Sequence, residues 1–137
     1  MKYWLIKTEP GAWSWDDQMK SPKKQTEWDG VKNHQANNNL KAMKKGDRCF
    51  FYHSVKEKTI VGIVEVAKEW EPDPNQPGEP WGYPTVKAVT AVKHLVALAD
   101  IKAKASLKDM VLVNNSRLSV QPVKASEWKT ICKMAGV

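Results

Sequence analysis

The sequence predicts an α+β domain, a small and strongly curved mixed sheet or partial barrel with short helices around it. Three observations lead there. Runs rich in β-branched and aromatic residues recur along the chain, separated by turn residues. The helical stretches are short and do not alternate with the strands as βαβ units would. One run, Arg48 to His53, is apolar on both faces, which places it inside a sheet or in the wall of a small barrel. At 137 residues the chain is read as one domain, 1–137, long enough to bury a proper core.

Tyr3 to Lys7 is rich in strand formers and ends before Pro10, giving a first strand. Ser14, followed by Trp15, Asp16 and Asp17, reads as the N-cap of a short helix reaching about Met19. Ser21-Pro22 and the Lys23-Lys24 pair form a turn and a basic loop. Glu27 to Gly30 leads into a central helix, in which Ala36, Leu40 and Met43 share one stripe at about 100° per residue. Lys32 and Asn33 fall at the inward edge of its N-terminus, where they either cap the helix or face a ligand; an unsatisfied buried polar group costs roughly 1–3 kcal/mol. His34, Asn38 and Lys41 point the other way, into solvent, and Gly46 is a stop.

In the next strand Phe50 and Tyr52 point one way while Cys49, Phe51 and His53 point the other. After a charged turn, Thr59 to Ala67 is a β-branched strand whose Gly62 marks a bulge or a close approach of another backbone. Glu71 to Pro84 holds five prolines with Trp81 and Tyr83 among them and reads as an ordered loop. Thr85 to Leu95 is a further strand, Ala99 to Ala105 and Ser106 to Met110 are helical turns, and Arg117 to Val120 is a last, fifth strand. Ser126 caps a final helix with a stripe of Trp128, Ile131, Cys132 and Ala135, stopped by Gly136.

The charge of +7 favours polyanionic partners, nucleic acid first. All the basic residues are lysine except Arg48 and Arg117, and seven tryptophans supply stacking surfaces as well as core. Two distant cysteines indicate reduced thiols and an intracellular setting, cytoplasmic, or nuclear in a eukaryote. The N-terminus lacks a signal-peptide core, and no run approaches the roughly 20 apolar residues of a membrane span.

Catalytic chemistry finds little footing. His53 and Ser54 are adjacent, but neighbours on a strand face opposite ways and do not form a dyad. The histidines and cysteines lack zinc-ligand spacing, and there is no glycine-rich phosphate loop, so neither metal nor cofactor is expected. Recognition fits better: Arg117, Ser119 and Gln121 alternate on one strand face, and Asn, Gln and Arg present paired donors and acceptors to a base edge. The plain alternative is that Arg117 pairs with a carboxylate such as Glu9. Likewise Trp81 and Tyr83 either lid a site or plug a core, Trp13, Trp15 and Trp28 are more often core than cage, and the lysine pairs are solvated or hold phosphates.

Five linked motifs go further: Tyr3-Trp4-Leu5-Ile6-Lys7-Thr8-Glu9-Pro10 with Trp13-Ser14; Trp28-Asp29-Gly30-Val31-Lys32-Asn33-His34-Gln35-Ala36; Phe51-Tyr52-His53-Ser54; Pro72-Asp73-Pro74; and Arg117-Leu118-Ser119-Val120-Gln121-Pro122. In this order the chain resembles the EVE family over nearly its whole length. The resemblance implies a PUA-like fold, a curved mixed sheet or pseudo-barrel with peripheral helices. It also implies kinship with the YTH domains that hold methylated adenine in RNA, and binding of a modified base, of the methylated or hydroxymethylated cytosine type, in DNA or RNA. Lys7, Ser14, Asn33, Tyr52, His53, Ser54, Trp81, Arg117 and Ser119 would then line or border the base pocket. The chain departs from the commoner family pattern at Lys32, which keeps the charge of an arginine without its planar fork, and at His34, Asn37 and Glu71. The expected protein is a monomeric binding module without catalytic residues; a small enzyme acting on nucleic acid through His53, or a pocket for a small metabolite, are the competing classes.

Overall fold

The computed structural model describes all 137 residues. Six strands form one mixed sheet: β1 (Tyr3–Thr8), β2 (Gln25–Glu27), β3 (Arg48–His53), β4 (Thr59–Pro72), β5 (Gly82–Ala97) and β6 (Val120–Val123), in the order β2-β5-β4-β3-β1-β6. The helices are α1 (Trp15–Lys20), α2 (His34–Ala42), α3 (Leu98–Ala103), α4 (Val111–Asn114) and α5 (Ala125–Ala135), with single 3-10 turns at Pro22–Lys24 and Ala105–Leu107. The α+β class therefore holds. β1 and β3 are parallel, with Trp4 opposite Cys49 and Thr8 opposite His53, while every other pair is antiparallel. A parallel pair needs a long crossover, and residues 9–47, carrying α1, β2 and α2, provide it.

Alternation along β1 and β3 splits the core between the two faces of the sheet. Trp4, Ile6, Cys49 and Phe51 pack on the face that α1 and α2 cover, with Trp15, Trp28, Ala36 and Leu40. Leu5, Phe50 and Tyr52 pack on the other face with Ile101, Leu112 and Ile131. There Trp128 of α5 stacks on Phe50, ring centroids 3.9 Å apart, and on Tyr3 at 4.5 Å. Asp47, at the entry to β3, is buried and accepts hydrogen bonds from Trp4 Nε1 (3.1 Å), Lys2 N (3.1 Å) and Lys44 N (3.0 Å).

Several sequence expectations change. There are six strands, not five, because β2 is only three residues long and carries no visible periodicity. The central helix starts at His34, with Asn33 as its N-cap, one of the two roles expected for it, and Lys32 before it; it ends at Ala42, before Gly46. The interruption at Gly62 does mark a register shift, but what approaches is a side chain: a Cβ there would lie 2.4 Å from the Trp15 ring. The proline-rich stretch is shorter than expected as a loop, since β4 runs to Pro72 and β5 begins at Gly82. The final helix is capped two residues earlier than expected, at Lys124, whose N–H donates to Glu127 Oε1 at 2.9 Å; Ser126 lies inside it. Gly136 does end it, at φ 73°.

Candidate functional site

The crossover leaves a cleft of about 690 Å³ on the α1–α2 side of the sheet. It is lined from the end of β1 by Lys7, Thr8 and Glu9, from the following loop by Ala12 and Trp13, from β2 and its exit by Thr26 to Asn33, and from before β6 by Ser119. Local chemistry fixes these pieces. Ser14 caps α1 by accepting from Asp17 N at 3.1 Å, while the Asp17 carboxylate accepts from Ser14 N at 2.9 Å, a reciprocal box that sets the chain direction just after Trp13. The bond from Ser14 N, helped by the nearby Ser14 hydroxyl, holds the Asp17 carboxyl below the usual carboxylate range. Asn33 caps α2, its Oδ1 accepting from Ala36 N at 2.9 Å, which leaves its amide N–H groups for another partner.

Two indoles stand in the wall. Trp13 is half-buried and donates from Nε1 to Gln18 Oε1 at 2.9 Å. Trp28 is buried edge-on against Phe51, centroids 5.6 Å apart. Both ring planes are therefore held before anything binds.

Of the residues singled out in the sequence, the structure brings Lys7, Asn33 and Ser119 together at this cleft. The Lys7 ammonium itself turns along the strand toward the Ser116 carbonyl and lies 5.6 Å from the Tyr52 ring centroid; partial burial lowers its pKa from the ordinary lysine value. Tyr52 is buried on the opposite face, and that burial raises its phenol pKa. His53 is buried with both ring nitrogens occupied: Nε2 accepts from Trp15 N at 3.0 Å and Nδ1 faces Glu57 Oε2 at 2.8 Å. No ring nitrogen is left to take a substrate proton. Ser54 N donates to Thr8 O, tying the strand ends behind the cleft. Ser14 borders the wall as a cap, outside the lining.

Two other positions lie away from it. Trp81, at the end of the proline-rich loop, packs on His34 with ring centroids 4.9 Å apart, so His34 is not simply solvated; nor is Lys41, which sits 4.7 Å over the Trp70 ring. Arg117 lies in an exposed turn without an ion pair to Glu9 or any other carboxylate. The expected strand carrying Arg117, Ser119 and Gln121 on one face does not exist: the strand begins at Val120, Ser119 is in a bend, and Gln121 is fully buried, donating to the carbonyls of Leu118 and Asn115. A side chain that bonds its own preceding turn breaks the alternation that a pattern assumes. The residues missed in sequence are Trp13 and Trp28 as walls and Thr26, Glu27 and Asp29 to Val31 as a rim, whereas Lys32 does face the cleft. The signal present was tryptophan on both sides of a charged, glycine-containing loop.

A mixed sheet whose long crossover folds into an aromatic-walled, polar cleft fits a domain of the PUA-like class. The EVE domain model matches residues 2–134, and the chain belongs to the EVE family. Human thymocyte nuclear protein 1 is 34% identical over 164 residues, an alignment that takes in 96% of this chain and 73% of the human one. The crystal structure of Atu2648 from Agrobacterium tumefaciens superposes with a TM-score of 0.96 at 44% identity, covering 100% of this chain and 94% of that one. Human THYN1 protein, solved in complex with 5-methylcytosine containing DNA, superposes with a TM-score of 0.89 at 36% identity, covering 100% and 99%.

Proposed function

We propose that the chain is a nucleic-acid-binding module that takes a modified cytosine, methylated or hydroxymethylated, out of its strand and into this cleft. The observation that carries the reading is the cleft itself: two indoles with fixed planes beside the polar groups of Asn33 and Ser119, in a fold whose human relative was solved on 5-methylcytosine DNA. Extruding a base costs roughly a few kcal/mol, and stacking on aromatic rings returns about 1–3 kcal/mol per base. The free Asn33 amide serves a base-edge acceptor, and the overall positive charge draws the strand.

The same reading makes the sheet an incomplete barrel. β1 and β2 are not neighbours in the strand order, yet both line one cleft, and α2 touches β4, β5 and β6 at once. A flat sheet would hold β5 and β6 roughly 19 Å apart, more than a nine-residue helix of roughly 14 Å spans. Strong curvature would bring them under one helix, and the contacts of α2 support that reading.

Titration of matched duplex and single-stranded oligonucleotides, with and without 5-methylcytosine or 5-hydroxymethylcytosine, at two salt concentrations tests the function. Tighter binding to one modified base at both concentrations is expected; equal binding to all, rising and falling only with salt, would overturn it. Trp13→Ala is expected to weaken the modified-base complex by about tenfold or more, in line with loss of one stacking partner. Asn33→Ser keeps the α2 cap at a cost within a few tenths of a kcal/mol, so a fall in affinity at unchanged melting temperature isolates its contact with the base.

A further inference from the structure

We infer that the turn Pro22–Lys24 is a phosphate clamp for the strand whose base occupies the cleft, with the Lys23 and Lys24 ammonium groups meeting its phosphodiesters. This extends the base-binding reading to the backbone of the same ligand.

The turn is built in an unusual way. Lys23 and Lys24 both adopt left-handed backbone conformations, φ 56° and 57°, which side chains disfavour and which glycine accepts freely. Two consecutive lysines stand where glycines would cost less. Both side chains are exposed, and neither enters an ion pair. Nothing internal to the fold uses their charge.

The strained shape is pinned from several sides. Lys24 N donates to Ser21 O at 2.8 Å, and Gln25 N donates to Pro22 O. The Lys24 carbonyl accepts from Gln18 Nε2 at 2.8 Å. Gln18 is fully buried, and its Oε1 accepts from Trp13 Nε1 at 2.9 Å. One buried amide thus ties the lysine turn to an indole wall of the cleft. On its other side the turn runs directly into β2, whose Thr26 and Glu27 also line the cleft. The backbone that carries the two cations is therefore held in a fixed relation to the cleft from both directions.

The cleft lining explains why phosphates would be met here and not inside. Glu9, Glu27 and Asp29 outnumber Lys7 and Lys32 among the charged lining residues, so the lining is net negative and disfavours a phosphodiester, while its carboxylates accept from amino groups on a base. The base enters and its backbone stays outside, beside unpaired lysines on a preorganised turn. Gln18 is then a positioning residue, holding the Trp13 indole with one end of its amide and the turn with the other.

The test is the double variant Lys23→Gly/Lys24→Gly, which removes both charges while allowing the same backbone conformation. Binding to the modified oligonucleotide is followed between about 50 and 200 mM salt, where each phosphate contact on duplex DNA contributes about 0.9 to the slope of log K against log salt. The slope is expected to become shallower by about 1.8. The preference for modified over unmodified base should persist. The control, Lys129→Ala/Lys133→Ala, removes two exposed charges from α5, behind the other face of the sheet, and should change the slope less. An unchanged slope in the glycine variant, or an equal change in the control, would overturn the clamp. Loss of modified-base preference in the wild-type protein would instead count against the base site, and the slope comparison would still decide the clamp.

Discussion

Gly62→Ala is expected to unseat Trp15, destabilise the protein by about 3 kcal/mol and lower its melting temperature by roughly 10 °C. The new Cβ would lie 2.4 Å from one atom of the Trp15 ring and 2.5 and 2.6 Å from two others, well inside contact distance. The ring has little freedom to yield: Trp15 is buried, meets Phe51 edge-on at 5.2 Å, and its backbone N–H is fixed on His53. Displacing it also moves the segment that carries Trp13, so binding at the cleft should fall together with stability. Thermal unfolding followed by tryptophan fluorescence checks the first effect and oligonucleotide titration the second. A melting temperature within about 2 °C of wild type, a difference of under 1 kcal/mol, would mean the ring has an alternative seat and sink the argument.

Asp47→Ala should cost about as much by a different route. Its carboxylate gathers the Trp4 indole N–H and two backbone N–H groups at the entry to β3, and alanine leaves all three donors without their partner at roughly 1 kcal/mol or more each. Burial pushes the Asp47 pKa up, but the bonds from Lys44, Trp4 and Lys2, with the charge of the N-terminus, outweigh it and leave the pKa below the ordinary value. The sign follows from linkage. A carboxyl with a depressed folded pKa stabilises fully above its unfolded value, near 3.9, and that contribution is lost as pH falls through the folded value. Wild-type protein should therefore lose stability below about pH 4 more steeply than Asp47→Asn, which has no proton to take up there. Chemical denaturation at pH 7 and at a series of acidic pH values distinguishes them; parallel curves would show that Asp47 carries no such linkage.

The legible parts of the fold were those governed by local periodicity. The alternation of β3 and the stripes of α2 and α5 depend on spacing alone, and Phe50, Phe51, Leu40 and Ile131 are indeed fully buried. What spacing could not show was set by contacts from elsewhere in the chain. β2 exists because β5 offers Thr85, Val86 and Lys87 as partners, not because three residues have strand character. The start of β6 was misplaced because Gln121, whose polarity suggested a recognition face, spends its amide on the carbonyls of Leu118 and Asn115. For the site, the motif containing Asn33 was readable, but the dual use of Trp13 and Trp28 was not. An indole that is half core and half wall looks in sequence like any other core residue.

The parallel pairing of β1 with β3 has a bearing on how such domains diversify. All but one of the residues lining the cleft fall between Lys7 and Asn33, a single stretch at the front of the crossover; Ser119 is the exception. The packing behind the sheet, around Phe50 and Trp128, belongs to other parts of the chain. The cleft lining is thus written almost wholly in one segment of the polypeptide, which also supplies Trp28 to the core, while the packing behind the sheet is written in others. Substitutions at its exposed polar positions can therefore accumulate while the packing behind the sheet keeps the domain folded, so the chemistry of the cleft can change without a change of scaffold.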